Sequence, residues 1–79
     1  MTQLVLYTTS HCHLCEQALT LLINLKQQYA ISWLTKEISE DDDLIEKYGI
    51  RIPVIQRIDN QSELNWPFSA EDIVMLIKA

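Results

Sequence analysis

The stretch that decides the fold lies early in the chain, where a short apolar segment runs through a polar loop into two cysteines. It reads Leu4-Val5-Leu6-Tyr7-Thr8-Thr9-Ser10-His11-Cys12-His13-Leu14-Cys15. The apolar part ends in a Thr-Thr-Ser cluster and predicts a buried strand over residues 3–9. No glycine or proline follows before Tyr29, and apolar residues recur at helical spacing, which predicts a helix over residues 14–29. Its predicted buried side holds Cys15, Ala18, Leu19, Leu22 and Leu25, widened by Leu21 and Ile23.

The remaining sequence alternates between strand and helix patterns. Strands are predicted over residues 31–38, 50–58 (interrupted by Pro53) and 63–66. An acidic run at residues 39–43 opens a helix through Tyr48, which Gly49 ends. A capping box at residues 69–72 opens the last helix, which buries Ile73, Leu76 and Ile77. The order β-α-β-α-β-β-α predicts an α/β fold, a mixed four-stranded sheet flanked by helices, with the first two strands parallel and the last two antiparallel.

Length and composition predict one small folded domain over residues 1–79. The chain has 79 residues, 48% of them hydrophobic, with one glycine and two prolines, which is unlike a linker or a disordered segment. A net charge of -5 argues against nucleic acid as a partner, because phosphate binding needs clustered Lys and Arg. Trp33, Trp66 and Phe68 are predicted to be packing residues.

The N-terminus indicates a cytoplasmic protein without a membrane partner. Met1-Thr2-Gln3 runs directly into the first strand, with no basic leader or cleavage site. No apolar stretch approaches the roughly 20 residues that cross a bilayer. In the cytoplasm, paired cysteines are more often catalytic or metal-binding than structural.

Cys12 and Cys15 are the candidate catalytic residues. The first falls at the start of the predicted helix, where unpaired N–H groups and the helix dipole stabilise a thiolate. A free thiol has a pKa of about 8.5, and Cys-x-x-Cys sites lower it. Cys15 lies one turn on and faces the core, as a resolving thiol should, so the pair can exchange disulfides.

Other uses of the two cysteines stay open from the residues alone. One Cys-x-x-Cys is half of a structural zinc site, and the second half is absent. His11 and His13 could add ligands, although four ligands within five residues cannot easily surround one ion. Residue 16 is Glu rather than His, which excludes haem attachment of the C-x-x-C-H type. Metal or iron–sulfur binding and inert cysteines are the alternatives.

Together, these motifs resemble the glutaredoxins of the thioredoxin superfamily, and most closely the short bacterial glutaredoxin-like proteins. The resemblance extends over nearly the whole chain: Leu6-Tyr7-Thr8, Cys12-His13-Leu14-Cys15, Ile52-Pro53-Val54 and Trp66-Pro67-Phe68. It implies a thioredoxin-like fold and a thiol–disulfide oxidoreductase acting on a disulfide-containing protein or a low-molecular-weight thiol. Pro53 is then cis beside Cys12, and the backbone of Ile52 pairs with the substrate. Arg51 is a further candidate for substrate binding.

The sequence departs from glutathione-using glutaredoxins at two places. The basic residue before the dithiol is replaced by Thr8-Thr9-Ser10-His11, and the Gly-Gly element before the last helix by Trp66-Pro67-Phe68-Ser69. We therefore expect no bound cofactor and little use of glutathione as a co-substrate, and we expect a monomer. A glutaredoxin-like protein that holds an iron–sulfur cluster or metal through Cys12, or a redox-fold adaptor without turnover, is the alternative.

Overall fold

Four strands and three α-helices follow one another in the predicted order. The computed structural model describes residues 2–79. The strands are β1 (Thr2–Thr8), β2 (Ile31–Glu37), β3 (Val54–Arg57) and β4 (Glu63–Asn65), and the helices are α1 (His13–Lys26), α2 (Asp42–Tyr48) and α3 (Ala70–Lys78). A short 3-10 turn, Ile38–Glu40, precedes α2. No helix among the described residues has the length and apolar character needed to cross a membrane.

The strands form one mixed sheet in the order β2-β1-β3-β4. β1 pairs with β2 in parallel and with β3 antiparallel, and β3 pairs with β4 antiparallel. Thr8 therefore lies opposite Glu37, and Tyr7 lies opposite Val54. The end of β1, the end of β2 and the start of β3 all meet at one edge of the sheet. The predicted sheet and strand directions are confirmed.

Apolar side chains cover both faces of the sheet. On one face, α1 and α3 pack over a core that includes Leu4, Leu6, Leu22, Ile55 and Ile73. On the other face, a smaller cluster forms around Ile38, Tyr48 and Val54. Alternate residues of β1 and β3 point to opposite faces, as the strand period requires. Each face of the sheet therefore has its own layer of apolar side chains.

Several element boundaries differ from the prediction. α1 ends at Lys26 rather than Tyr29, because Gln27 and Gln28 donate backbone hydrogen bonds to residues three positions back and the last turn tightens. α2 begins at Asp42 rather than Ser39, because the Asp41 side chain accepts from the N–H groups of the first turn and caps it there. The predicted strand over residues 50–58 is confined to Val54–Arg57, since Pro53 has no N–H to donate to the ladder.

The predicted burial of Ile23 is wrong. Its side chain is 48% exposed, whereas Ala18 and Leu22 are fully buried. Successive residues of an α-helix turn by about 100°, which carries Ile23 away from the face that Leu22 shares with Ala18. Leu21, on the other side of that face, packs against the core as predicted.

Gly49 ends α2 as predicted. Its lack of a side chain matters here, and its backbone is not left-handed. Its φ is −50°, which any residue can adopt. A Cβ at this position would lie 2.5 Å from the carbonyl oxygen of Ile45. The tight exit of the chain from α2 towards Pro53 therefore requires a residue without a side chain at position 49.

Candidate functional site

Cys12 is the N-cap of α1, and its sulfur is bonded to that of Cys15 in a disulfide. The two Cα atoms are 5.2 Å apart. Cys12 Sγ also accepts a hydrogen bond of 3.1 Å from the backbone N–H of Cys15. Cys12 is partly exposed and Cys15 is only 5% exposed. The structure thus unites the two predicted cysteines, with one sulfur presented at a helix N-terminus and the other turned into the core.

The loop before Cys12 is tied to the end of β2. The Ser10 hydroxyl lies 3.2 Å from Glu37 Oε1, and Glu37 Oε2 accepts from the backbone N–H of Ser39 at 3.1 Å. Hydrogen bonds lower the pKa of the Glu37 carboxyl to about 2. The bond from the Ser39 N–H has the largest effect, and the bond from the Thr9 side chain is next. Glu37 was not predicted to belong to the site. The parallel register, which places it opposite Thr8, is the signal that could have found it.

The two histidines considered as possible metal ligands, His11 and His13, flank Cys12 in the sequence. His11 has a positive φ of 60°, a conformation in which histidine is enriched among non-glycine residues. His13 Nδ1 lies 3.4 Å from Glu16 Oε2, and both side chains are largely exposed. A small cavity of about 130 Å³ opens beside both cysteines, between α1 and the strands β1 and β2.

The Ile52–Pro53 peptide bond is cis, as the resemblance implies, and Pro53 is fully buried at the start of β3. The carbonyl oxygen of Pro53 accepts a 3.1 Å hydrogen bond from the N–H of Trp66. The Trp66–Pro67 bond is also cis, which was not predicted. The segment that begins at Trp66 is thereby fixed to the segment that carries Pro53.

Arg51 is held in a network on the α2 side of the sheet. Its Nη2 donates to Glu63 Oε1 at 2.8 Å and to Asn65 Oδ1 at 2.9 Å, and its guanidinium lies 5.0 Å from the centre of the Tyr48 ring. The Tyr48 hydroxyl donates to Glu63 Oε2 at 2.6 Å. The structure therefore binds Arg51 within the protein, and its contact with substrate stays a prediction. Glu63, the centre of the network, was missed because nothing in a three-residue strand marks it.

The network shifts the pKa of both acidic groups that share it. Burial, and then the hydrogen bond to Glu63, raise the pKa of the Tyr48 hydroxyl above its ordinary value. Burial alone would raise the pKa of Glu63, but hydrogen bonds from Tyr48 and Arg51 outweigh it and leave that pKa lowered. Glu63 is therefore ionised at neutral pH, and Tyr48 keeps its proton as a donor.

Among residues 2–79, no three His, Cys, Asp or Glu side chains are grouped so that they could hold a metal ion. Part of the acidic run has another use, since Asp41 Oδ1 caps α2 by accepting from Asp43 and Leu44.

The family described as "Glutaredoxin-like domain (DUF836)" matches residues 3–78. The chain belongs to this glutaredoxin-like family. The match covers both cysteines and all of the sheet except Thr2. The predicted membership of a glutaredoxin-like family is confirmed. Comparison with the curated proteins finds no match.

Solved structures show the same fold over nearly the whole chain. The structural-genomics target XcR50 from X. campestris is 34% identical, with 96% of this chain and 97% of that one covered and a TM-score of 0.82. Protein Ne2328 from Nitrosomonas europaea is 25% identical, with 95% and 89% covered and a TM-score of 0.83. A thioredoxin from Halobacterium salinarum, 17% identical, covers 98% of this chain over 72% of its own length at a TM-score of 0.75. The last of these shows the thioredoxin-like fold alone.

A glutaredoxin-like domain with a Cys-x-x-Cys pair at bonding distance indicates redox chemistry at sulfur. The bridged pair is the oxidised form, and breaking the bridge gives two thiols one helical turn apart. Cys12, at the helix start, is the more exposed of the two residues.

Proposed function

We propose that this protein is a small thiol–disulfide oxidoreductase in which Cys12 is the nucleophile and Cys15 the resolving thiol. The observation that carries the proposal is the unequal placement of the two sulfurs. Cys12 caps α1 and receives the Cys15 N–H at 3.1 Å, while Cys15 is 5% exposed. A donor already aimed at Cys12 Sγ supports a thiolate there.

The exchange runs in two balanced steps. The Cys12 thiolate attacks one sulfur of a substrate disulfide, that S–S bond breaks, and the leaving thiolate takes a proton from solvent. Cys15 then loses its proton and attacks Cys12 Sγ, which forms the Cys12–Cys15 bond and expels the second substrate thiolate. The substrate gains two electrons and becomes a dithiol, and the protein loses two. Two molecules of a low-molecular-weight thiol, or one protein dithiol, return them by the same exchange in reverse and leave as a disulfide.

Ile52 and Pro53 position the substrate in this proposal. Pro53 immediately precedes β3, which pairs with β1, the strand that leads into the Cys12 loop. Ile52 N–H is already used by the carbonyl oxygen of Tyr48 at 3.1 Å, so the Ile52 carbonyl is the group left for a strand-like contact with substrate. Arg51 acts through the network that holds this loop rather than as a free cation.

The test is mixed-disulfide trapping with two matched variants. Cys15→Ser removes the resolving thiol, so the reduced variant should accumulate a covalent adduct with insulin, which has exposed disulfides, and should not turn over. Cys12→Ser should form no adduct, because the remaining thiol is buried. The wild-type protein should reduce insulin with a reductant such as dithiothreitol in excess of the uncatalysed rate. Adducts formed equally by both variants, or no rate enhancement, would overturn the proposal.

A further inference from the structure

An apolar groove lies between α1 and the segment that follows β4. Its volume is about 410 Å³, and we call it the Trp66 groove. Trp66 and Phe68 form one wall as an edge-to-face pair with ring centres 5.0 Å apart. The residues that line it include Gln17, Thr20, Leu21, Trp66, Phe68 and Ala70. None of these is charged, so the groove suits an apolar group.

Two features connect the Trp66 groove to the dithiol. Trp66 N–H is hydrogen-bonded to the carbonyl oxygen of Pro53, so this wall starts at the loop that we propose binds substrate. The opposite wall is formed by α1 through Gln17, Thr20 and Leu21. Nearer the start of α1, Leu14 lies within the Cys-x-x-Cys motif and is 43% exposed. Helical periodicity places Leu14 on the same face of α1 as Gln17 and Leu21, three and seven residues on. An exposed apolar side chain between the two cysteines therefore lies on the face of α1 that forms the groove wall.

The charge at the dithiol end of the sheet is mainly negative. Glu16 is in the first turn of α1, and Glu71 and Asp72 are in the first turn of α3. The acidic residues at positions 40–43 follow the end of β2 at the same edge. By contrast, Lys26 and Lys78 occupy the last turns of α1 and α3, at the other end of the helices. The dithiol end also carries Lys36, opposite Tyr7, and Arg51, two residues before Pro53. Carboxylates outnumber cations there, so this end suits a basic partner.

We propose that the Trp66 groove is a specificity subsite for a polypeptide substrate with a large apolar or aromatic side chain near its disulfide and basic residues around it. This inference rests on the proposed oxidoreductase function. The groove offers a Phe-sized side chain an aromatic wall, and the acidic edge attracts the flanking Lys or Arg. Glutathione has two carboxylates and no large apolar side chain, and it fits neither feature.

The rate test uses two peptides with one intramolecular disulfide each, both flanked by Lys. They differ only in a Phe or a Gly two residues from the attacked cysteine. Partial burial of the Phe ring should raise kcat/KM about tenfold over the Gly peptide, mainly through a lower KM. Replacing the flanking Lys by Glu should lower kcat/KM at low salt, and added salt should remove the difference.

Two tryptophan variants on the same helix locate the effect. Thr20→Trp places a bulky ring in the groove and should bring the Phe-to-Gly ratio of kcat/KM close to one. Ile23→Trp adds the same ring at an exposed position of α1 outside the groove, and it should keep the tenfold ratio. A wild type without preference, or a ratio that survives in Thr20→Trp, would overturn the subsite.

A binding measurement separates the subsite from the chemistry. The oxidised wild-type protein is titrated with the Phe peptide in which Ser replaces both cysteines, and the two indole N–H signals are followed by NMR. The Trp66 signal should shift and the Trp33 signal, from β2, should not. Binding at Trp66 without reduction of either peptide would refute the oxidoreductase and keep the groove. Equal reduction of both peptides without a Trp66 shift would refute the groove and keep the oxidoreductase.

Discussion

Glu63→Ala tests whether the network around Arg51 holds the α2 side of the molecule in place. The substitution removes the acceptor of the Tyr48 hydroxyl (2.6 Å) and of Arg51 Nη2 (2.8 Å). Tyr48 is 1% exposed, so its hydroxyl loses a charge-assisted bond worth roughly 1.5–3 kcal/mol and stays buried without a partner. Arg51 is 32% exposed and keeps Asn65, so its share is at most about 1 kcal/mol. The expected loss of unfolding free energy is about 1.5–4 kcal/mol.

A loss of this size is a large part of the stability of a 79-residue domain, for which roughly 4–12 kcal/mol is typical. Urea unfolding followed by circular dichroism should show the midpoint falling by about 1 M or more with an unchanged slope. Tyr48→Phe is the matched control: it removes the hydroxyl but leaves Glu63 paired with Arg51, so it should cost only about 1 kcal/mol. If Glu63→Ala costs less than Tyr48→Phe, the assigned contacts do not stabilise the fold.

The same network gives a defined pH dependence. The pKa of Glu63 is lowered in the folded protein from an ordinary value of 4.5, so its ionised form contributes stability above that value. This contribution is lost as the pH falls below 4.5 towards the folded pKa. The unfolding free energy of the wild type should therefore exceed that of Glu63→Gln by a constant amount near neutral pH. This difference should shrink below about pH 4. A difference that grows on acidification would contradict the sign of the shift.

Three further results are expected. In the reduced protein, alkylation through pH should give Cys12 an apparent pKa below about 8.5 and faster labelling than Cys15; the reverse order would exchange their roles. Reduction of a glutathionylated peptide should show little preference over a plain peptide disulfide, because two anchors worth roughly 1.5–3 kcal/mol each are absent; a large preference would mean that other residues rebuild the glutathione site. Ser69→Ala should cost about 1 kcal/mol in urea unfolding, because it removes the cap that accepts the Asp72 N–H; an unchanged midpoint would deny the capping box a role in stability.

The fold could be predicted because each element carries its own local signal. Apolar runs bounded by turn residues marked β1 and β2, the gap without glycine or proline marked α1, and the capping box at Ser69 marked α3 to the residue. The predicted boundaries were wrong where a side chain forms hydrogen bonds with the backbone. The cap at Asp41 is such a case, because several residues of the acidic run could have served equally well.

The candidate site could be predicted only where its chemistry is local. Cys12 and Cys15 lie within one turn, so their spacing is enough to pair them. Glu63 meets Tyr48 and Arg51 across 15 and 12 residues, and their pairing depends on the strand register. For the same reason the sequence presented Arg51 only as a candidate for substrate binding and did not show the acceptors that the fold places around it.

The unequal exposure of the two sulfurs also governs how the site meets peroxide. Hydrogen peroxide oxidises an accessible thiolate to a sulfenic acid with release of water, and continued exposure drives that group to irreversible acids. Cys15 lies one turn away, with its Cα 5.2 Å from that of Cys12. Its thiol can displace the sulfenic oxygen as a second water and close the bridge before further oxidation. Intact-mass measurement after brief peroxide treatment should show the loss of two hydrogens in the wild type and added oxygen in Cys15→Ser. The buried cysteine thereby protects the exposed one from permanent damage.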